Sequence, residues 1–302
     1  MIGAIVSFLF LAAGLYFQRR PDFPVEKAIR WVNTYLFNIV LPALALLYIP
    51  QINPGWDLLI PISAAWFTFF LSWLIFGSLG RIFNWSPQVI GCLSIVAGLA
   101  NTSFLGFPVV EALYGKAGLP VALLMDQGGS FLLVSSIAIV IGSIYSHERG
   151  NLSEIPWKIL KFPPFGFLIA TLIMSLIGWK TPEFLIPVLQ IIGKTMAPIA
   201  LLAIGLRFKV EKADLTSKFF WYGLGYRLIL APALVFLIYR NFLNPEELTF
   251  KVTVLESAMA PMITGSIVAI NYHLAPRLAA LLSGLGMVIS IGSILLWYFF
   301  LG

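Results

Sequence analysis

One cysteine, two histidines and 13 acidic residues in a chain of 302 leave little with which to build catalysis or metal binding. Cys92 stands alone inside an apolar run, which excludes an intramolecular disulfide framework and a thiolate metal cluster. Only 11% of the residues are charged, and no polar segment is long enough for a soluble domain. The formal charge of +6 is spread over short connections rather than gathered on one face, which argues against a nucleic-acid partner. No H-E-x-x-H, no G-x-S-x-G and no phosphate-cradling Gly-Lys motif occurs, and His147 and His273 fall in connections. The reading is a protein that is not an enzyme, with no cofactor and no metal.

What the chain has in quantity is hydrophobic residue, 60% of the total, with a mean hydropathy of +0.94. That is the composition of an all-α membrane protein in a lipid bilayer. A helical span needs about 20 apolar residues to cross about 30 Å of hydrocarbon, so the chain holds about ten spans. Apolar runs punctuated by Gly, Pro, Asn and charge place them near 2–17, 31–49, 57–80, 88–114 and 118–145, then 162–178, 184–206, 218–239, 248–272 and 276–301. The first run has no basic residue before it and Arg19 and Arg20 after it, the reverse of a secretory signal. Most basic residues fall on one side if both termini are extracytoplasmic, the orientation that the positive-inside rule favours in a cell membrane.

The two halves resemble each other. LPALALL from Leu41 matches APIALLA from Ala197, aligning Pro42 with Pro198, and Ala112 to Gly129 aligns with Ala269 to Gly286. With five spans per half the second copy enters the bilayer inverted. The expected organisation is a first repeat over 1–145, a cytoplasmic linker over 146–161 and a second repeat over 162–302.

Spans four and nine are the chemically unusual ones. LANTSFLGFPVVEALYG sets Asn101, Thr102 and Ser103 ahead of Pro108, and ESAMAPMITGS sets Ser257 and Thr264 around Pro261. A proline lacks the N–H that continues a helix, and Pro108 is expected to free carbonyls near Phe104 and Leu105. Disrupted backbone survives at membrane depth only where protein or a water-lined cavity supplies partners. Two interrupted spans in corresponding positions mark a transport site, where half-helix N-termini favour an anion without any buried Lys or Arg.

Ionisable residues within spans are functional candidates because burial is costly. Asp126, beside Gln127, Gly128 and Gly129, is read as a proton or substrate partner, and Glu256 as a group that titrates near the cavity. The alternative is that both pair with Lys194 or Arg227 as structural glue, while Glu111 and Arg227 reach water at helix ends.

These segments resemble the auxin efflux carrier family. NTSFLGFPVVEALYG followed by GLPVALLMDQ is similar to its fourth and fifth spans, and LPALALLY and AMAPMITGSIVAINYHLAPRLAALLSGLG look like its second and last two. The resemblance implies a secondary carrier that exports small organic anions, auxin-like or dicarboxylates such as malate or malonate, by an elevator movement. Spans 1, 2, 6 and 7 would be a scaffold, able to form a homodimer, and spans 3–5 and 8–10 a moving unit. Asn101 and Pro108 would take the first crossover and Pro261 the second, with Asn38 and Pro42 close by in the scaffold. The linker is short, as in compact prokaryotic-type members, and the third span carries no acid, which turns the expectation toward a small organic acid. A sodium- or proton-coupled symporter of the bile-acid type and a non-transporting receptor are the alternatives.

Overall fold

The computed structural model describes residues 2–51, 59–146, 163–207 and 216–302. The linker expected over 146–161, Ser146 apart, and His147 with it, lie outside the described residues. Twelve helical segments make up nearly all of what is described: α1 (Ile2–Gln18), α2 (Val25–Tyr48), α3 (Leu59–Ile82), α4 (Pro87–Ala97), α5 (102–114) and α6 (Lys116–Tyr145), then α7 (Pro163–Leu176), α8 (Ile186–Leu206), α9 (Lys218–Tyr239), α10 (Leu248–Ser257), α11 (Ile263–Asn271) and α12 (Pro276–Leu301). Among them α2, α3, α6, α8, α9 and α12 are long and apolar enough to cross a membrane. Prolines open α4 and α12, where the first turn needs no N–H.

The helices pack in two groups. α1 runs along α8, and α2 packs against α7 and α8. The α1–α8 contact is made by glycine: a Cβ on Gly205 would lie 2.5 Å from the Leu11 carbonyl oxygen and 2.9 Å from Gly14 Cα. In lipid, where apolar burial does not drive helices together, such backbone approach supplies the dispersion contacts that do. In the other group α3 packs on α4, α6 and α10, while α12 packs on α9, α10 and α11. Gly129 of α6 meets α3 so closely that a Cβ would come within 2.5 Å of the Ala65 methyl.

Five wide, π-type turns interrupt the described helices, at Leu36–Val40, Leu93–Ala97, Thr102–Gly106, Asp126–Ser130 and Tyr226–Leu230. An extra residue in a turn shifts the i→i−4 ladder and leaves carbonyls to satisfy. Neighbouring side chains answer three of them. Trp66 Nε1 donates to the Gly128 carbonyl at 2.9 Å, Trp297 Nε1 to that of Leu228 at 2.9 Å, and the Ser72 hydroxyl to that of Ser94 at 3.2 Å. The indoles thus act as donors between helices as well as apolar bulk.

Candidate functional site

Two short non-helical segments meet in the middle of the second group. One joins α4 to α5 through Gly98, Leu99, Ala100 and Asn101; the other joins α10 to α11 through residues 258–262. They pair as an antiparallel bridge between Ala100 and Pro261, with Asn101 N–H donating to the Ala260 carbonyl at 2.8 Å and Met262 N–H to that of Leu99 at 2.9 Å. Every residue of both segments is buried. Backbone that has left the helix therefore finds partners in the other segment, which membrane depth demands.

Four helix ends converge there. Those of α4 and α10 are C-terminal, with unsatisfied carbonyls and about half a negative charge each; those of α5 and α11 are N-terminal and positive. Arg227, on the wide turn of α9 and fully buried, closes the two carbonyl ends: Nη1 donates to the Gly98 oxygen at 2.9 Å and reaches that of Ala97 at 3.5 Å, and Nη2 donates to that of Ser257.

The positive ends differ from each other. At α5, the Thr102 hydroxyl donates to Asp126 Oδ1 at 2.6 Å, so a carboxyl already stands at that N-terminus. One turn on, Gly106 faces Glu256: a Cβ there would lie 2.5 and 2.6 Å from the two carboxyl oxygens. Asp126 and Glu256 are both buried. The side-chain amides of Asn101 and Gln127, Asp126 Oδ2 and both Glu256 oxygens are buried without a hydrogen-bond partner. At α11, by contrast, the first turns form the wall of a cleft of about 1170 Å³, through Ile263, Ser266 and Ile267. The cleft lies between the two helix groups, with Ile29 of α2 and Ile204 of α8 opposite, and carries Glu26 and Arg277 on its wall. At the other end of the bundle Tyr48, Glu111, Lys116 and Lys194 enclose only about 10 Å³.

The structure brings Asn101, Thr102, Ser103, Asp126, Glu256, Ser257, Pro261 and Arg227 to the crossing, and moves others away. Pro108 is not the interruption: it lies inside α5, where the preceding wide turn, closed by Gly106 N–H on the Asn101 carbonyl at 3.0 Å, absorbs its missing donor. Ser257 has no free hydroxyl, because it donates to the Thr253 carbonyl at 2.9 Å. Asn38 is exposed on the wide turn of α2, where its neighbour Phe37 packs on Phe104 at 6.0 Å between ring centroids; Pro42 is buried within the same helix. Thr264 is half-buried in the first turn of α11. Lys194 is exposed near Glu111, and the only ion pair among the described residues joins Lys251 to Glu246, so the expected pairing of Asp126 or Glu256 with Lys194 or Arg227 does not occur. Nor does Arg227 reach water at a helix end, since it is fully buried. Sequence reasoning does not reach Gly106 or Gln127 as site residues; a glycine one turn from Thr102 and facing an acid on another span leaves no one-dimensional signal.

Thr102→Val keeps the shape of the side chain and removes the donor. It leaves Asp126 Oδ1 buried and unpartnered, at a cost of about 1–3 kcal/mol. Thermal unfolding in detergent is expected to show a lower midpoint for Thr102→Val and a near-native one for Thr102→Ser; equal midpoints for Thr102→Val and the parent would remove the bond from the fold.

An all-helical bundle with apolar spans and a broken-helix crossing at the end of a cleft defines a polytopic membrane transporter. A family model described as Membrane transport protein matches residues 1–298, and the chain belongs to that family, the auxin efflux carriers that its sequence resembles. Among its relatives, an uncharacterized transporter of Methanocaldococcus jannaschii is 26% identical over 289 residues, covering 91% of each chain. The uncharacterized transporter YfdV of Escherichia coli is 26% identical over 294 residues, covering 91% of this chain and 90% of its own. One from Methanothermobacter thermautotrophicus is 28% identical over 214 residues, covering 68% and 66%.

Proposed function

We propose that the protein is a secondary active carrier that exports small organic anions, mono- or dicarboxylates such as malonate, by alternating access. The observation that carries this reading is that the cleft of about 1170 Å³ ends on the N-terminal turn of α11, while Tyr48, Glu111, Lys116 and Lys194 at the opposite end enclose only about 10 Å³. A helix N-terminus whose N–H groups face an aqueous cleft is a place for a carboxylate. The α5 end, served by Asp126, is not equivalent, so the anion is assigned to the α11 side, with Ser266 on the cleft wall and the Asn101 amide, buried at the crossing without a partner, as its candidate ligand.

In this reading the chain crosses the membrane ten times, α4 with α5 and α10 with α11 counting as one passage each, in two inverted repeats with both termini extracytoplasmic. The cleft then faces the cytoplasm, with Arg277 on its wall attracting anions. Because the cleft opens between α2 and α8 of the first group and the helices of the second, the movement is a slide of the second group, carrying the crossing with it, along the first.

Labelled malonate efflux from proteoliposomes tests the proposal. Asn101→Ala is expected to slow it about 10- to 100-fold, the equivalent of one charge-assisted hydrogen bond. Unchanged efflux in that variant would take Asn101 out of the site, and absence of efflux for every mono- and dicarboxylate tried with the parent protein would end the organic-anion reading.

A further inference from the structure

Arg227 is the largest fully buried side chain in the described protein, and among the described residues no carboxylate lies within ion-pair distance of it. A buried charge without a counter-charge is costly, so something must offset it. Its partners are carbonyls of Ala97, Gly98 and Ser257, the terminal oxygens of α4 and α10. Each helix end carries about half a negative charge, so two ends together match one guanidinium. The planar fork fits two acceptors on separate helices, because one nitrogen serves α4 and the other α10, which a point charge on a flexible stem does less well.

Carbonyls at the C-terminal ends of discontinuous helices are where broken-helix carriers bind coupling cations such as sodium. We propose that Arg227 is a resident cation that occupies this position permanently, a positioning residue that fixes the two half-helix ends to one another so that neither the crossing nor the flux through it draws on sodium. The wide turn Tyr226–Leu230 takes part in this, since the position of the guanidinium depends on the turn that carries Arg227. Trp297 donating to the Leu228 carbonyl at 2.9 Å and Tyr226 donating to that of Thr68 hold the turn in place.

The test is thermal unfolding of the purified full-length protein in detergent, in sodium chloride and in choline chloride at equal ionic strength, for the parent, Arg227→Lys and Arg227→Met. The parent is expected to unfold at the same temperature in both salts. Arg227→Met is expected to unfold lower in choline and to gain a saturable upward shift in sodium, because a ligand that binds only the folded state stabilises it. Arg227→Lys is expected to fall between them, without the sodium response. A saturable sodium shift in the parent would overturn the proposal, as would an Arg227→Met protein that unfolds like the parent or responds alike to both salts. Should Arg227→Met not fold, the parent and Arg227→Lys decide between these outcomes. Malonate efflux, an arm that rests on the function proposed above, is expected to be equal in sodium and choline for the parent. A parent that moves no malonate would count against that function and leave the unfolding result standing.

Discussion

Gly205→Leu is expected to yield little folded protein, and what does fold is expected to unfold far below the parent. The ideal Cβ at this position lies 2.5 Å from the Leu11 carbonyl oxygen, 2.8 Å from the Leu15 nitrogen and 2.9 Å from Gly14 Cα. All three are backbone atoms of α1, so no side chain can swing aside to make room; the helices themselves must separate. Overpacking costs about 1–3 kcal/mol where side chains give way. Here the cost is at or above the top of that range, and separating α1 from α8 also forfeits close dispersion contact that lipid cannot replace. Gly292→Leu on α12 is the control, since a Cβ there meets nothing within 4 Å. Fluorescence-detected size exclusion and a melting curve for both variants check the expectation; a monodisperse, parent-like Gly205→Leu protein would show that the α1–α8 approach is looser than described.

The position of that contact is not legible in the sequence, and the reason is general. Hydropathy sorts residues into membrane and water, and it places the apolar runs: the run 88–114 corresponds to α4 plus α5, and 248–272 to α10 plus α11. It does not say which small residue faces which helix. Proline is a partial guide to the interruptions. Pro261 lies in one, but Pro108 lies seven residues beyond the last residue of the other, because a wide turn lets a helix run through a proline. Wide turns have no compositional mark, and two of them carry Asp126 and Arg227. Arg227 shows the consequence best: an arginine in an apolar run calls for a partner, and carboxylates are the partners a sequence displays. Backbone carbonyls at broken helix ends do the same work, yet they belong to every residue and are invisible until the breaks are located. Asn101, Thr102 and Asp126 are legible for the opposite reason, since polar side chains at membrane depth are rare and must meet one another.

Gly106→Val is the second substitution with a large expected effect, and it separates a packing role from a chemical one. The ideal Cβ at Gly106 falls 2.5 Å from Glu256 Oε2, 2.6 Å from Oε1 and 2.8 Å from the carboxyl carbon, inside the range that real contacts avoid. Here the obstruction is a side chain, but a fully buried one. Any rotation of the Glu256 carboxyl must displace other buried neighbours. The expected result is a loss of about 2–3 kcal/mol in stability, near the upper end for overpacking, because the helices on both sides of the crossing are pushed apart. Shortening the acid opens the space, so Glu256→Ala in the same chain should return most of that loss. The double-mutant cycle is then expected to show a coupling of about 0.5–3 kcal/mol, the range for residues in direct contact. Melting curves of the two single variants, the double variant and the parent supply all four corners without reference to any substrate. Additive effects would mean that Gly106 and Glu256 do not share the space described. Coupling, on the other hand, ties the buried acid that lacks a hydrogen-bond donor to the N-terminal turns of α5, where Asp126 already stands.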